Sequence, residues 1–218
     1  MQQLFEGIYS DSKRIYTKNL LPGKRVYGER ILIDKGNEYR EWEIYRSKYG
    51  AGIKNGLTQS IFANGSTVLY LGSAEGTTVS HVSDIVGKEG AVFCVDISEI
   101  AMKKLARLAE ERENLYPILS DAQMTENYKE FFKEKVDALF QDISQRNQAD
   151  IFVRNAQFLK KGAYGALALK TKSISQAKDP EEVLEDELKL LKNEFEVTQI
   201  INLEPYEKHH YLILVKKK

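Results

Sequence analysis

Hydrophobic and polar positions follow two different patterns along the chain, and the change falls near residue 50. Up to Arg46 the sequence consists of short stretches rich in β-branched and aromatic residues, separated by the turn sequences Pro22-Gly23 and Lys35-Gly36-Asn37. This pattern predicts a small antiparallel β domain, which we place at residues 1–54. A helix-like stretch at residues 47–62 leads out of it.

From residue 55 onward, short apolar runs alternate with helical patterns, which predicts a second domain at residues 55–218 built as a parallel sheet covered by helices. Five strands are predicted at 67–72, 90–97, 115–121, 136–143 and 162–172. Helices are predicted at 76–87, 98–112, 144–160 and 179–193. The last two apolar runs, 195–206 and 210–217, are too close together for a helical crossover, so the last strand must pair antiparallel. A Rossmann-like sheet that ends in an antiparallel hairpin is typical of S-adenosylmethionine-dependent methyltransferases.

A glycine-containing loop follows the first predicted strand of this domain. Its sequence runs from Gly72 through Ala74 and Gly76 to Thr77 and Thr78. The dinucleotide-binding pattern G-x-G-x-x-G would need glycines at positions 72, 74 and 77, so the loop fails that pattern. A looser loop suits the amino-acid half of S-adenosylmethionine, which has no pyrophosphate. A nicotinamide-dependent oxidoreductase is therefore disfavoured.

Acidic residues end three successive predicted strands, and such ends meet at the ligand-binding crevice of an open α/β sheet. Asp96 follows the glycine loop by about 20 positions, the usual place for a carboxylate that binds ribose hydroxyls. Asp121 falls where the adenine amino group would lie, and Asp142 ends the next strand. The predicted cofactor-binding set is Gly72, Ala74, Gly76, Thr77, Thr78, Asp96, Ile97, Asp121, Ala122, Asp142 and Gln145.

The net charge and the distribution of apolar residues indicate how such a protein would meet its RNA and where it would be located. Lysine and arginine together number 32, as do aspartate and glutamate, so the formal net charge is zero. Phosphate contacts supply most non-specific nucleic-acid affinity, so a neutral RNA-modifying protein is expected to obtain its RNA through partners. The sequence has no apolar stretch long enough for a membrane helix and no signal peptide. We expect a cytoplasmic protein without membrane association, and no metal site.

Several longer segments, in order over almost the whole chain, resemble fibrillarin in its compact archaeal form. They occupy residues 39–53, 71–87, 140–156, 167–174 and 203–217. The resemblance implies methyl transfer from S-adenosylmethionine to ribose 2′-hydroxyls of ribosomal RNA, with transfer RNA as a further candidate substrate. It also implies a box C/D guide RNA that selects the target RNA, a Nop-family scaffold protein and a kink-turn-binding ribosomal-type protein.

The resemblance further implies a catalytic set of two lysines, an aspartate and a histidine. By their flanking motifs these match Lys48, Asp142, Lys170 and His210. We hypothesise that Lys170 lies nearest the hydroxyl, that Asp142 orients it, and that Lys48 and His210 tune charge and hold RNA. The chain departs from the family pattern at three places. It has Glu43-Ile44 in place of Asn-Pro or Asp-Pro, Asp96 in place of glutamate, and His209 in place of aspartate.

Two alternatives stay open on the sequence alone. A stand-alone RNA or small-molecule methyltransferase would use the same fold, although an RNA enzyme of that kind should carry more basic surface. A non-catalytic interaction subunit of an RNA particle would keep the fold without the chemistry. Taken singly, Lys48 and His210 read as surface residues, and only the joint pattern favours function.

Overall fold

The N-terminal part of the chain forms a five-stranded sheet in the computed structural model, which describes residues 1–218. Its strands are β1 (Gln2–Phe5), β2 (Ile8–Ser10), β3 (Ile15–Lys18), β4 (Ile31–Asp34) and β5 (Asn37–Trp42). They pair antiparallel throughout, in the order β1-β2-β3-β5-β4. The predicted small antiparallel sheet is thus confirmed.

The rest of the chain forms a seven-stranded mixed sheet. Its strands are β6 (Thr67–Leu71), β7 (Ala91–Asp96), β8 (Leu115–Leu119), β9 (Val136–Gln141), β10 (Leu159–Lys170), β11 (Phe195–Asn202) and β12 (His210–Lys217). The order across the sheet is β11-β12-β10-β9-β6-β7-β8, and β12 alone runs opposite to the other six strands. The predicted Rossmann-like sheet with a terminal antiparallel hairpin is confirmed, and its last strand lies between β10 and β11.

Helices connect these strands and cover both faces of the sheet. They are α1 (Lys48–Lys54), α2 (Thr77–Val86), α3 (Glu99–Glu111), α4 (Gln148–Asn155), α5 (Thr171–Ile174) and α6 (Pro180–Leu191). The predicted N-cap of α3 is correct, since the Ser98 side chain accepts a hydrogen bond from the amide of Ala101. No helix combines the length and the apolar character needed to cross a membrane.

Several predicted boundaries are wrong, such as that of the strand predicted at 195–206, which ends at Asn202. Three others have a clear local cause. The helix predicted at 47–62 ends at Lys54, because Gly56 turns the chain with φ +95°. The helix predicted at 144–160 is restricted to α4, since its first residues form the loop after β9 and its last residues already enter β10. The fifth strand ends at Lys170, where the amide and hydroxyl of Thr171 both donate to the carbonyl of His209.

Alternation along the strands of the large sheet sends neighbouring side chains into two different cores. Val68 and Tyr70 belong to one hydrophobic cluster, and Leu69 and Leu71 belong to the other. The first cluster also contains Trp42 and other residues of the N-terminal sheet. The two sheets therefore share one hydrophobic core on that face.

A buried polar network joins the N-terminal sheet to α2 and to the end of α3. Arg40 forms ion pairs with Glu29 at 2.5 Å and with Asp84 at 2.8 Å, and Arg112 pairs with the other oxygen of Asp84 at 2.8 Å. All four side chains are essentially inaccessible to solvent. Two cations and two anions balance, so the network buries no net charge.

Candidate active site

A cavity of about 480 Å³ lies at the carboxyl ends of the parallel strands, which is a usual size for a small-molecule site. It opens where strands β6, β7, β8, β9 and β10 end, as expected for an open α/β sheet. Its lining residues are Gly72, Ala74, Val95, Asp96, Ile97, Ser120, Asp121, Ala122, Asp142, Ile143, Ser144, Gln145 and Lys170.

The loop after β6 has a backbone path that depends on glycine at its first position. Gly72 has φ +81°, and a β-carbon there would lie 2.8 Å from the carbonyl carbon of Asp142. Two residues on, Ala74 has φ +46°, and its amide donates to Oδ2 of Asp96 at 2.8 Å. The loop is therefore held between the ends of β7 and β9, with its backbone facing the cavity.

The acidic residues at the strand ends are oriented by neighbouring groups. Asp96 also accepts a hydrogen bond from the amide of Ser98 on Oδ1 at 2.8 Å. Asp121 accepts on Oδ1 from the amide of Gln123 and from Nε2 of Gln145, both at 2.9 Å. These bonds fix the carboxylates while each oxygen keeps further acceptor capacity toward the cavity.

Most of the predicted cofactor-binding residues lie together in this cavity, but the end of the glycine loop does not. Gly76, Thr77 and Thr78 are absent from its lining. Gly76 caps the start of α2 and Thr77 opens the helix. A β-carbon at Gly76 would lie 2.9 Å from Leu105 and 2.8 Å from Leu108 of α3, so close helix packing explains that glycine.

Four residues that line the cavity were missed in the sequence. They are Val95, Ser120, Ile143 and Ser144. Each one is the direct neighbour in sequence of a predicted site residue, so position along the chain was the signal that could have found them. The sequence pattern favoured carboxylates and glycines and gave these residues no chemical reason for selection.

Two lysines contact opposite oxygens of one carboxylate at the edge of the cavity. Nζ of Lys170 lies 2.7 Å from Oδ1 of Asp142, and Nζ of Lys48 lies 3.3 Å from Oδ2. The contact between Lys170 and Asp142 is a close ion pair but not a hydrogen bond, because no donor group points at Oδ1 of Asp142. Lys170 donates instead to Ser144 Oγ at 3.1 Å and, more weakly, to the Asp142 carbonyl at 3.4 Å. All three charged side chains are more than four-fifths buried.

His210 completes the predicted catalytic set from the neighbouring strand. It is paired directly with Lys170 across β12 and β10, and its Nδ1 lies 2.7 Å from the carbonyl of Lys208, so that nitrogen carries the proton. Burial lowers the pKa of His210, the bond to the Lys208 carbonyl opposes this, and Lys48 and Lys170 lower it further. His210 is therefore a neutral imidazole near pH 7. The adjacent His209 is exposed to solvent.

Glu207 is a further residue of the site that sequence reasoning did not single out. Its carboxylate lies 3.9 Å from Nζ of Lys48, so Lys48 stands between two acids. The residue belongs to the same Pro205-Tyr206-Glu207 segment that identified His210. The ion pair fixes the loop before β12 to the start of α1.

The residues of the cavity are compatible with S-adenosylmethionine. Because Gly72 has no side chain, the cavity wall there consists of backbone atoms, which can contact a bound amino-acid moiety closely. Asp96 and Asp121 offer acceptors for hydroxyl and amino groups, and Ile97, Ala122 and Ile143 offer apolar contacts for a ring.

Comparison with known proteins gives a consistent family. The family model described as Fibrillarin matches residues 1–218. A fibrillarin-like rRNA/tRNA 2′-O-methyltransferase of Thermococcus gammatolerans is 49% identical, over 98% of this chain and 96% of the relative.

Solved structures agree in fold along the full length. Aeropyrum pernix fibrillarin, in complex with natively bound S-adenosyl-L-methionine, has a TM-score of 0.89 at 40% identity, covering 99% of this chain and 96% of its own. A fibrillarin/Nop5p complex contains a chain with TM-score 0.89 at 36% identity, covering all of both chains. The chain therefore belongs to the fibrillarin family.

Proposed function

We propose that this chain transfers the methyl group of S-adenosylmethionine to ribose 2′-hydroxyls of ribosomal and transfer RNA. The observation that carries the proposal is the cluster in which Lys48 and Lys170 contact one carboxylate, Asp142, at the edge of the cavity. S-adenosylmethionine, when bound, supplies an activated methyl group. The relatives named for this reaction and this ligand support the proposal.

The cavity residues divide the binding of S-adenosylmethionine among them. Gly72 and Ala74 would hold its amino-acid part by backbone contacts, because no side chain bulk stands there. Asp96 would accept bonds from its ribose hydroxyls, and Asp121, held by Gln145, would accept one from its adenine amino group. Thr77 and Thr78 would contribute only by shaping the start of α2.

Lys170 is the residue that we assign to the incoming hydroxyl. A ribose hydroxyl is a poor nucleophile until its proton is being lost, so a basic or hydrogen-bonding group must stand beside it. Lys170 lines the cavity, whereas Lys48 does not, and Asp142 and Ser144 fix its ammonium group. Asp142 would orient Lys170, while Lys48 and neutral His210 tune the local charge and hold the RNA.

Positioning of the reactants should account for much of the rate enhancement of methyl transfer. Holding the hydroxyl and the methyl group in line makes the reaction effectively unimolecular. The residues that bracket the reaction come from α1, β9, β10 and β12. Each of these elements is anchored in one of the two hydrophobic cores. The site is thus built on a rigid scaffold, which suits a reaction that depends on alignment.

We further propose that a box C/D guide RNA selects the target within a ribonucleoprotein that contains a Nop-family scaffold and a kink-turn-binding protein. The net charge of zero supports this division of labour, since a lone RNA-binding enzyme gains most of its affinity from basic surface. The complex of a relative with Nop5p supports the scaffold.

The test is transfer of labelled methyl from S-adenosylmethionine to an RNA with a guide-complementary site. The reaction is run with this protein alone, and with scaffold, kink-turn-binding protein and guide RNA added. Label at one 2′-hydroxyl only in the complete mixture is expected. Efficient label with the protein alone would establish a stand-alone enzyme, and no label in a fully assembled particle would overturn the assignment of an enzyme.

A further inference from the structure

A pair of tyrosines, one exposed and one partly buried, lies on the two segments that bring Lys48 and His210 to the site. The Tyr45 and Tyr206 rings meet edge to face, with centroids 5.4 Å apart at 72°. Tyr45 is 71% exposed, which makes it one of the most exposed large apolar side chains of the molecule. Its outer ring face therefore has no partner within the chain.

The pair is fixed to the catalytic cluster by short connections. Tyr45 precedes Lys48 by three residues, and Tyr206 directly precedes Glu207, whose carboxylate contacts Lys48. Nδ2 of Asn55, at the end of α1, donates to the carbonyls of Asn202 and Glu204 at 2.8 Å, which holds the Tyr206 loop against α1. Tyr45 therefore lies three residues from Lys48 in the chain and packs against a loop that is held to α1.

Cations and carboxylates are mixed around the pair. Glu43 and Glu207 contact cations of the chain, whereas Glu204 is exposed without an ion pair. Arg46, Lys208 and His209 are exposed next to the two tyrosines in sequence. Lys208 forms no ion pair within the chain. The guanidinium of Arg46 lies over the Tyr27 ring, and its Nε is 3.8 Å from the Glu43 carboxylate. An exposed aromatic ring with cations nearby is a usual platform for the bases of a splayed RNA strand.

We propose that Tyr45, braced by Tyr206, is a positioning residue whose ring stacks on a base of the target RNA strand beside the methylated ribose. Arg46 and Lys208 would contact the phosphates on either side. Stacking fixes the rotation of the strand, and with it the direction of the 2′-hydroxyl relative to Lys170. This inference rests on the proposed function, because it takes RNA to be the substrate at this site.

The test compares single-turnover methyl transfer in the complete particle, at saturating S-adenosylmethionine, for wild type, Tyr45→Ala, Tyr45→Trp and Tyr116→Ala. Loss of one stacking contact should slow Tyr45→Ala roughly 5- to 100-fold. Tyr45→Trp should stay within a few-fold of wild type, since it keeps a stacking face. Tyr116 is the matched control, because it is a 46% exposed tyrosine stacked on Phe93 of a neighbouring strand.

A second readout separates stacking from a general structural effect. RNA carrying 2-aminopurine beside the target ribose should be quenched by the wild-type particle and by Tyr45→Trp, and less by Tyr45→Ala. Binding of S-adenosylmethionine should be equal in all four proteins. A wild-type rate and quench for Tyr45→Ala would overturn the proposal. So would a defect that disappears at high scaffold concentration, which would assign the pair to a protein contact. An inactive wild-type particle would instead refute the proposed function.

Discussion

Lys170 is the residue on which the proposed chemistry depends most. We expect Lys170→Ala to lower turnover on RNA by roughly 10²- to 10³-fold, the usual cost of removing one hydrogen-bond donor from an oxygen that gains negative charge in the transition state. Lys161→Ala is the matched control, because it lies on the same strand and is exposed. The measurement is single-turnover methyl transfer, with cofactor affinity followed by calorimetry.

Cofactor binding decides how that result is interpreted. Asp96, Asp121 and Gly72 are unchanged in the variant, so the affinity for S-adenosylmethionine should stay within a few-fold of wild type. Near-normal turnover of Lys170→Ala with the cofactor bound would show that another group receives the hydroxyl.

Gly72 is the second residue whose role can be isolated. An alanine there meets both a disfavoured backbone angle and the backbone of Asp142, whereas a β-carbon at Gly162, with φ +76°, would have no neighbouring atom within 4 Å. Gly162→Ala should therefore cost only the strain of the left-handed conformation, about 1–2 kcal/mol. Gly72→Ala should cost more and should weaken cofactor binding. Denaturant unfolding and calorimetry measure both, and equal costs at the two positions would contradict the close approach.

Site residues were predictable from the sequence where a chemically suitable side chain falls at the carboxyl end of a predicted strand. Asp96, Asp121 and Asp142 combine a carboxylate with a strand end, and all three line the cavity. Glu207 and Ser144 were not predicted, because their partners Lys48 and Lys170 are distant in sequence. A contact across 159 positions depends on the packing of α1 against the loop before β12, which no local pattern encodes.

The periodicity of apolar residues predicted the type and order of the secondary-structure elements better than it predicted where each element ends. The alternation of apolar runs and helical stretches gave the order of the sheet's elements, and the short link between β11 and β12 required an antiparallel partner. The end of α1 was missed because Ile53, Leu57 and Ile61 continue the apolar spacing of a helix. Gly56 overrides that spacing by adopting a left-handed backbone.

Helix α2 carries a buried histidine that predicts a pH dependence of stability. His81 is inaccessible to solvent, with Nδ1 at 2.7 Å from Thr17 Oγ1 and Nε2 at 2.7 Å from the Tyr27 hydroxyl. Burial lowers its pKa well below the usual value, and Arg40 and Arg112 lower it further. The folded state therefore holds His81 neutral, while the unfolded chain takes up a proton below about pH 6.5.

The sign follows from this difference in proton uptake. Because the unfolded state binds more protons, the free energy of unfolding should fall as pH drops below about 6.5, by up to about 1.4 kcal/mol per pH unit from this residue. Denaturant unfolding of wild type and His81→Gln between pH 6.5 and 5 measures the effect. The variant should have the shallower dependence, and groups common to both proteins cancel. Equal slopes would refute the assignment of a neutral buried imidazole.

At the scale of the whole molecule, the two predicted domains are not independent bodies. We propose the boundary between residues 54 and 55, yet α1, on its N-terminal side, packs on β12, where a β-carbon at Gly52 would overlap the Leu212 side chain. Trp42 of the N-terminal sheet is stacked on His81 of α2, with ring centroids 5.0 Å apart. This docking brings Lys48 to the candidate active site, so the proposed catalytic cluster forms only when both parts are folded.

A substitution of Asp84 tests whether the two parts depend on each other for stability. Its buried carboxylate forms ion pairs with Arg40 and with Arg112. Asp84→Asn leaves two buried cations undercompensated and should lower the free energy of unfolding by about 3–5 kcal/mol. Asp186→Asn is the matched control, since Asp186 also lies between two cations, Lys178 and Lys189, but on an exposed surface. Such exposed pairs contribute little, so this variant should unfold close to wild type.

The same experiment measures whether the molecule unfolds as one unit. Trp42 is the only tryptophan, so its fluorescence reports the N-terminal sheet, while far-ultraviolet circular dichroism is dominated by the helices of the large domain. Since the sheets share a hydrophobic core and a buried ion network, both signals should change at one denaturant concentration in wild type. In Asp84→Asn both should shift together to lower concentration. A fluorescence transition that precedes the dichroism change would mean that the N-terminal sheet detaches first, which would remove Lys48 from the candidate active site while the cavity persists.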